Sequence, residues 1–281
     1  MDFMKLLLTV VAALGVAACS GATGLIDAGA GGGAGGGTAG GSGGGGTVDA
    51  GDPACASDGG LPGPSKCGCA GFTFCESFEG TAIEAARWTL DSSMGTAVLD
   101  ATRSARGGQS LHVNVKSTAG SRALLKTGNP FPAANNSFFG RAFVFAPGPL
   151  PTVHAGMFAA SGGTTEVRFG LDHQADLEPN YMSPPNEYGI FTSNKTKLPT
   201  NTWACLEWEY RGTGELHFFL NGSELTQIEV LATRMPPWTA PTYSKFSIGM
   251  ILFQSDTATA SSFDLWFDEV AFSATRVGCA N

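Results

Sequence analysis

The stretch LWFDEVAFSATRVGC, Leu265 to Cys279, reads as a β-strand running into a short tail that ends on a cysteine. Side chains alternate across a strand with a period of two, so Trp266, Asp268, Val270 and Phe272 are expected on one face. A carboxylate then stands in the best-packed row of that strand. Buried without a partner, it would cost several kcal/mol or take up a proton, so Asp268 needs either a cation or a set of donors.

Working outward, the same character recurs. FTFCESFEG (Phe72 to Gly80), SLHVNVK (Ser110 to Lys116), FFGRAFVF (Phe138 to Phe145), TTEVRF (Thr164 to Phe169) and FSIGMILF (Phe246 to Phe253) are aromatic and β-branched runs set between turn residues. WACLEWEYR, the turn GTG and ELHFFLNG form a hairpin. Pro179, Pro184 and Pro185 argue against a central strand between Phe169 and Tyr188. Helix-period segments are nearly absent. Residues 72–281 are therefore expected to form an all-β fold, a sandwich or jelly roll of two antiparallel sheets.

The chain of 281 residues does not commit all of its length to that core. Met1 to Ala18 places Lys5 before the apolar run LLLTVVAALGVAA, which is too short to span a bilayer and reads as a secretory signal. Val16-Ala17-Ala18-Cys19 fits a lipobox, with Cys19 as the lipidated residue. Ser20 after it resembles an outer-membrane address. The expected location is thus outside the inner membrane, lipid-anchored to the outer membrane or cell surface. From Gly21 to about Pro53 the chain is mostly glycine and offers no apolar groups to offset ordering. Such a tether of ~30 residues reaches roughly 30 Å.

Seven cysteines fit this export reading. Setting Cys19 aside leaves Cys55, Cys67, Cys69, Cys75, Cys205 and Cys279, an even set that implies three disulfides. Four of them crowd the entry segment of residues 54–71 and the strand after it. The expected bridges are Cys55 to Cys67 and Cys69 to Cys75, with Cys205 joined to Cys279. A net charge of -8 with only 16 Lys and Arg argues against nucleic acid and leaves the lipid as the only membrane contact. A monomer is expected.

The segments W-x-C-x-E-W-x-Y, L-x-FFLNGSEL and LWFDEVAFSATRVGC, together with the opening SFEG, resemble the jelly-roll group that contains glucuronan lyases and a secreted fungal protein induced on cellulose. The resemblance runs from about Phe74 to Cys279. It implies a concanavalin A-like jelly roll with a concave sheet that engages polysaccharide, and a structural calcium ion held by Glu79, the Arg106 carbonyl, Gln109 and Asp268. Two carboxylates with amide and main-chain oxygens make a hard-oxygen set suited to Ca²⁺. The alternative is that Asp268 accepts only backbone N–H groups.

A uronate lyase has to neutralise a carboxylate, remove the C5 proton and protonate the departing oxygen. By resemblance, Arg141, His154, Arg168 and Asn180 are candidates for one polar cluster, with Tyr181 and His173 in reach. Arg141, His154 and Tyr181 are the catalytic candidates; Arg141, Arg168, His173, Asn180 and Trp238 are the candidates for holding substrate. The departures are equally specific. Where the family reads R-x-G-G-Q, this chain has Asp172 in place of the glutamine. Phe145 replaces a second arginine, and Phe253 replaces a tyrosine. The elimination machinery is therefore expected to be incomplete, although an active lyase and a surface protein contacting other macromolecules remain as alternatives. Arg141 and Arg168 have a competing reading as structural partners of Glu207 or Glu166, and Glu207 with Glu209 as ion-paired strand positions. Trp203, Trp208 and Trp266 are expected in the core.

Overall fold

The computed structural model describes Cys55 and residues 60–190 and 192–280. The expected signal, Cys19 and the glycine tether lie outside the described residues.

The described residues form fifteen strands. They are β1 (Phe74–Glu76), β2 (Thr89–Ser93), β3 (Gly95–Asp100), β4 (Ser110–Lys116), β5 (Arg122–Thr127), β6 (Phe138–Phe145), β7 (Ala155–Gly162), β8 (Thr165–Leu171), β9 (Leu177–Ser183), β10 (Asn186–Gly189), β11 (Trp203–Tyr210), β12 (Leu216–Leu220), β13 (Ser223–Glu224), β14 (Lys245–Leu252) and β15 (Ser262–Ser273). They make two antiparallel sheets. One has eight strands in the order β13-β12-β11-β6-β15-β4-β3, with β1 also on β15; the other has seven, β10-β9-β8-β7-β14-β5-β2. This is the expected jelly roll.

The core lies between the sheets and is rich in aromatic rings. Trp208 stacks on Phe246 with centroids 5.4 Å apart and meets Phe158 at 4.8 Å. Gly140 on β6 makes room for that indole, since a Cβ there would fall 2.2 Å from the ring. Trp203 and Trp266 are not in this layer. Trp266 turns to the other face of its sheet, stacks on His112 at 4.1 Å and donates its indole N–H to Asp100.

That orientation follows from a break in the period of β15. Its pairing with β6 shifts between Asp268 and Ala271, and Glu269 has a φ of 50°. One extra residue reverses the parity of everything after it. Phe267, Val270 and Phe272 therefore face the inter-sheet core, while Trp266, Asp268 and Glu269 share the opposite face. The expectation that Asp268 shares a face with Val270 and Phe272 is overturned by this bulge. At the same point β15 exchanges one neighbour for another: β4 pairs with Ser262 to Phe267, and β1 with Val270 to Phe272.

Two further expectations are corrected. Pro179 sits inside β9, opposite Phe169 of β8. The strand tolerates it because β10 pairs only with Asn180 to Ser183, so Pro179 lies past the end of that ladder and owes it no N–H. The entry-segment bridges are Cys55–Cys69 and Cys67–Cys75. Glu269 accepts from the Ser65 hydroxyl at 2.5 Å and the Lys66 N–H at 3.1 Å, so the residues just before Cys67 are held against β15, the strand with which β1 and its Cys75 pair. Cys205–Cys279 forms as expected and closes a 74-residue separation.

Candidate functional site

A depression of 410 Å³ opens on the outer face of the seven-stranded sheet. Its floor is bare backbone. Gly156 of β7 and Gly170 of β8 are paired across the ladder, and a Cβ on Gly170 would lie 2.0 Å from the Ala155 carbonyl oxygen. Glycine inside a strand commonly marks such a close approach. Strand alternation decides the walls. Along β8, Glu166, Arg168 and Gly170 face outward while Val167, Phe169 and Leu171 enter the core; along β9, Glu178, Asn180 and Met182 face outward while Leu177 and Tyr181 enter it. His154, Phe253 and Gln254 close one side. A second depression of 340 Å³ shares Gly156, Arg168 and Phe253 and extends the groove to Asp91, Arg122 and Lys126.

The charged walls are paired among themselves. Arg168 lies with its guanidinium 4.6 Å over the Phe253 ring, bonds Glu166 through Nε, and reaches Glu187 at 3.3 Å. Asp91 accepts from Lys126 at 2.6 Å and Arg122 at 2.7 Å; these bonds, that of Lys126 foremost, hold its carboxyl below the usual 3.8 despite burial. Behind the opposite wall, Lys195 bridges Asp172 at 2.6 Å and Glu178 at 3.1 Å. Asp172 therefore serves as a structural partner set back from the groove. The His154 ring lies edge-on to that of His173, 4.4 Å away. The His154 N–H is held by the Gln254 amide oxygen, and its carbonyl accepts from the Phe253 N–H. The Asn180 amide oxygen is buried with no hydrogen-bond partner among the described residues.

The structure brings His154, Arg168 and Asn180 together, with His173 beside them. It separates the other candidates. Arg141 belongs to the eight-stranded sheet and is fully buried. It donates to the Glu269 carbonyl and the Gly278 carbonyl and pairs with the Glu269 carboxylate at 3.5 Å. Burial pulls it down to about 10, with Glu269 working against that pull. Tyr181 enters the core, donates to the Thr239 carbonyl and stacks on Trp238 at 5.3 Å. Trp238 is only 4% exposed, so the sugar-stacking surface expected of it is absent. Glu207 receives Arg276 at 2.8 and 3.2 Å, and Glu209 pairs with Arg211 at 2.6 Å.

Asp268 owes its place to donors. The N–H groups of Ala105 and Arg106 reach one oxygen at 2.8 and 3.0 Å, and the Glu269 N–H reaches the other at 2.8 Å. Burial nevertheless pushes its carboxyl up to about 8, with Glu269 adding repulsion against the pull of those N–H groups. Glu79 grips the far end of the same turn through the Gly108 and Gln109 N–H groups. The Gln109 side-chain amide meets the Phe78 and Gly80 carbonyls at 2.7 and 2.5 Å. Arg106 turns its N–H toward Asp268 in this arrangement. Arg106 and Gln109 of this turn thus lie between Glu79, which follows β1, and Asp268 of β15, and both carboxylates accept backbone N–H groups.

Sequence reasoning missed Glu166, Glu178, Glu187, Asp91, Arg122 and Lys126 as groove residues. For the first two the available signal was parity with Arg168 and Asn180. The same parity excludes Tyr181, the direct neighbour of Asn180.

The fold is matched by known proteins. Residues 77–275 match the polysaccharide lyase-like family described as "Cip1-like, core domain". No curated protein sequence matches the chain. Among solved structures it is similar to "Cellulose induced protein, Cip1", with a TM-score of 0.60 and 20% identity over 73% of this chain and 99% of that one. It is also similar to the endo-beta-1,4-glucuronan lyase of the fungus Trichoderma reesei, with a TM-score of 0.54 and 13% identity over 73% and 96%. With the family match spanning most of the two-sheet domain, this chain belongs to the polysaccharide lyase-like family, in its Cip1-like group.

Proposed function

We propose that the chain is an exported protein, lipid-anchored through Cys19, whose seven-stranded sheet engages a polysaccharide in the groove at Arg168 without completing β-elimination. One observation carries the reading. The groove holds a cation, an unpartnered amide oxygen and a floor of bare glycine backbone, but no tyrosine hydroxyl among the described residues. The chain's four tyrosines are Tyr181, Tyr188, Tyr210 and Tyr243; three are buried in the core and Tyr188 packs against it. A proton shuttle of the kind elimination needs is therefore reduced to His154 and His173. A calcium ion held near Glu79 and Gln109 belongs to the proposal as a structural tie between the first strand and the turn before β4.

The His154–His173 pair favours one second reading, an active lyase using imidazole as base. Ultraviolet absorbance of the unsaturated product separates the two. Incubation with glucuronan and alginate is expected to give no growth of that absorbance while the chain still binds a polysaccharide. Steady growth, abolished in His154→Ala, would establish the lyase reading instead.

A further inference from the structure

We infer that the glycan taken by this groove is uncharged, and that the chain rejects polyuronates by having its wall cations already neutralised. The inference rests on the reading of the groove as a polysaccharide site. Three cations line the two depressions, Arg122, Lys126 and Arg168, against four carboxylates, Asp91, Glu166, Glu178 and Glu187. Each of the three is held by one or two of those carboxylates at hydrogen-bonding or ion-pair distance. Lys195, the remaining cation near the wall, is 6% exposed at its side chain and bridges two acids.

A uronate carboxylate approaching Arg168 would either displace Glu166 and Glu187 or settle beside them, and in both cases those acids stand next to the new charge. Like charges placed together in a partly desolvated groove are costly, and the chain's overall charge of -8 adds a repulsion at longer range. A neutral sugar needs no such exchange. Its hydroxyls donate to Glu166, Glu178 or the free Asn180 oxygen and accept from Arg168 while the ion pairs persist. Its C–H face can lie on the bare Gly156–Gly170 floor and the Phe253 edge.

The test is affinity electrophoresis of the full chain through gels containing neutral glycans (mixed-linkage β-glucan, xylan, glucomannan) or polyuronates (glucuronan, alginate, polygalacturonate), each at low and high salt. Retardation by at least one neutral glycan, little changed by salt, is expected, with none by the polyuronates. The double variant Glu166→Gln/Glu187→Gln releases Arg168 from both acids and should acquire a polyuronate retardation at low salt that the parent lacks and that high salt removes. Salt-sensitive retardation of the parent chain by a polyuronate, exceeding that by every neutral glycan, would overturn the neutral-glycan inference and leave the polysaccharide reading standing. No retardation by any glycan would overturn both.

Discussion

Glu269 carries its carboxylate 3.5 Å from the Arg141 guanidinium, with both side chains at zero exposure. The same carboxylate lies 3.8 Å from Arg106 and accepts from Ser65 and the Lys66 N–H. One bulged residue of β15 thus ties the entry segment, β6 and the turn before β4 into a single polar layer beneath the eight-stranded sheet. Replacing Glu269 with Ala would remove the carboxylate with which both buried arginines pair. Removing one partner of a buried pair costs about 3 to 5 kcal/mol, so Glu269→Ala should melt far below the parent by circular dichroism. Arg141→Met/Glu269→Leu should recover part of that loss. Equal melting of parent and Glu269→Ala would show that the layer contributes nothing.

Loss of the Cys205–Cys279 bridge tests the tail. By the loop-entropy account, a closed loop of this length contributes about 4 kcal/mol. Cys205→Ser/Cys279→Ser should lower the denaturation midpoint accordingly and loosen the Arg276 pairing with Glu207. An unchanged midpoint would show that the buried Glu207 contacts hold the tail unaided.

The groove wall has a defined pH response. Burial works to raise the Asp172 carboxyl, but Lys195 and the N–H groups of Gln174 and Asp176 outweigh it and hold it below 3.8. Its contribution is therefore complete above the unfolded value and disappears as pH falls below about 4. For Lys195, burial lowers and its two acids raise, leaving it above 10.5, so its contribution lasts through neutral pH and is lost in strong alkali. Asp172→Asn should flatten the acid limb of a stability-versus-pH curve measured by urea denaturation. An identical acid limb in both proteins would refute this assignment.

Calcium should raise the melting temperature and a chelator should reverse the rise. Binding at ~100 times the dissociation constant adds about 2.7 kcal/mol to the native state. Glu79→Gln keeps the shape of the side chain and loses its charge, so the chelator-sensitive part should shrink. If calcium leaves the melting temperature of the parent unchanged, the turn between residues 103 and 109 is held by N–H donors alone.

The two-sheet fold was legible because strands such as Ser110–Lys116 and Phe138–Phe145 announce themselves by alternation, and both are found with those bounds. Strand β7 was not, because its run of alanine, glycine and serine carries almost no period. Arg168, His154 and Asn180, grouped through the family resemblance, which follows chain order, line one depression. Arg141 was misplaced for the same reason: chain order does not say which sheet a strand joins, and β6 joins the sheet opposite the groove. The position of Asp268 turned on a single bulge at Glu269 that no periodic reading contains.

The most direct test of the groove is to fill it. Asn180 projects from β9 into the depression, and Asn180→Trp would occupy that space and remove the unpartnered oxygen. A control, Val98→Trp, places the same indole on the exposed β3 of the other sheet, where Val98 is 47% exposed. Affinity electrophoresis of the parent and both variants should show retardation by neutral glycan lost in Asn180→Trp and kept in Val98→Trp, with all three folded by circular dichroism. Retardation unchanged in Asn180→Trp would place glycan contact elsewhere and contradict the account.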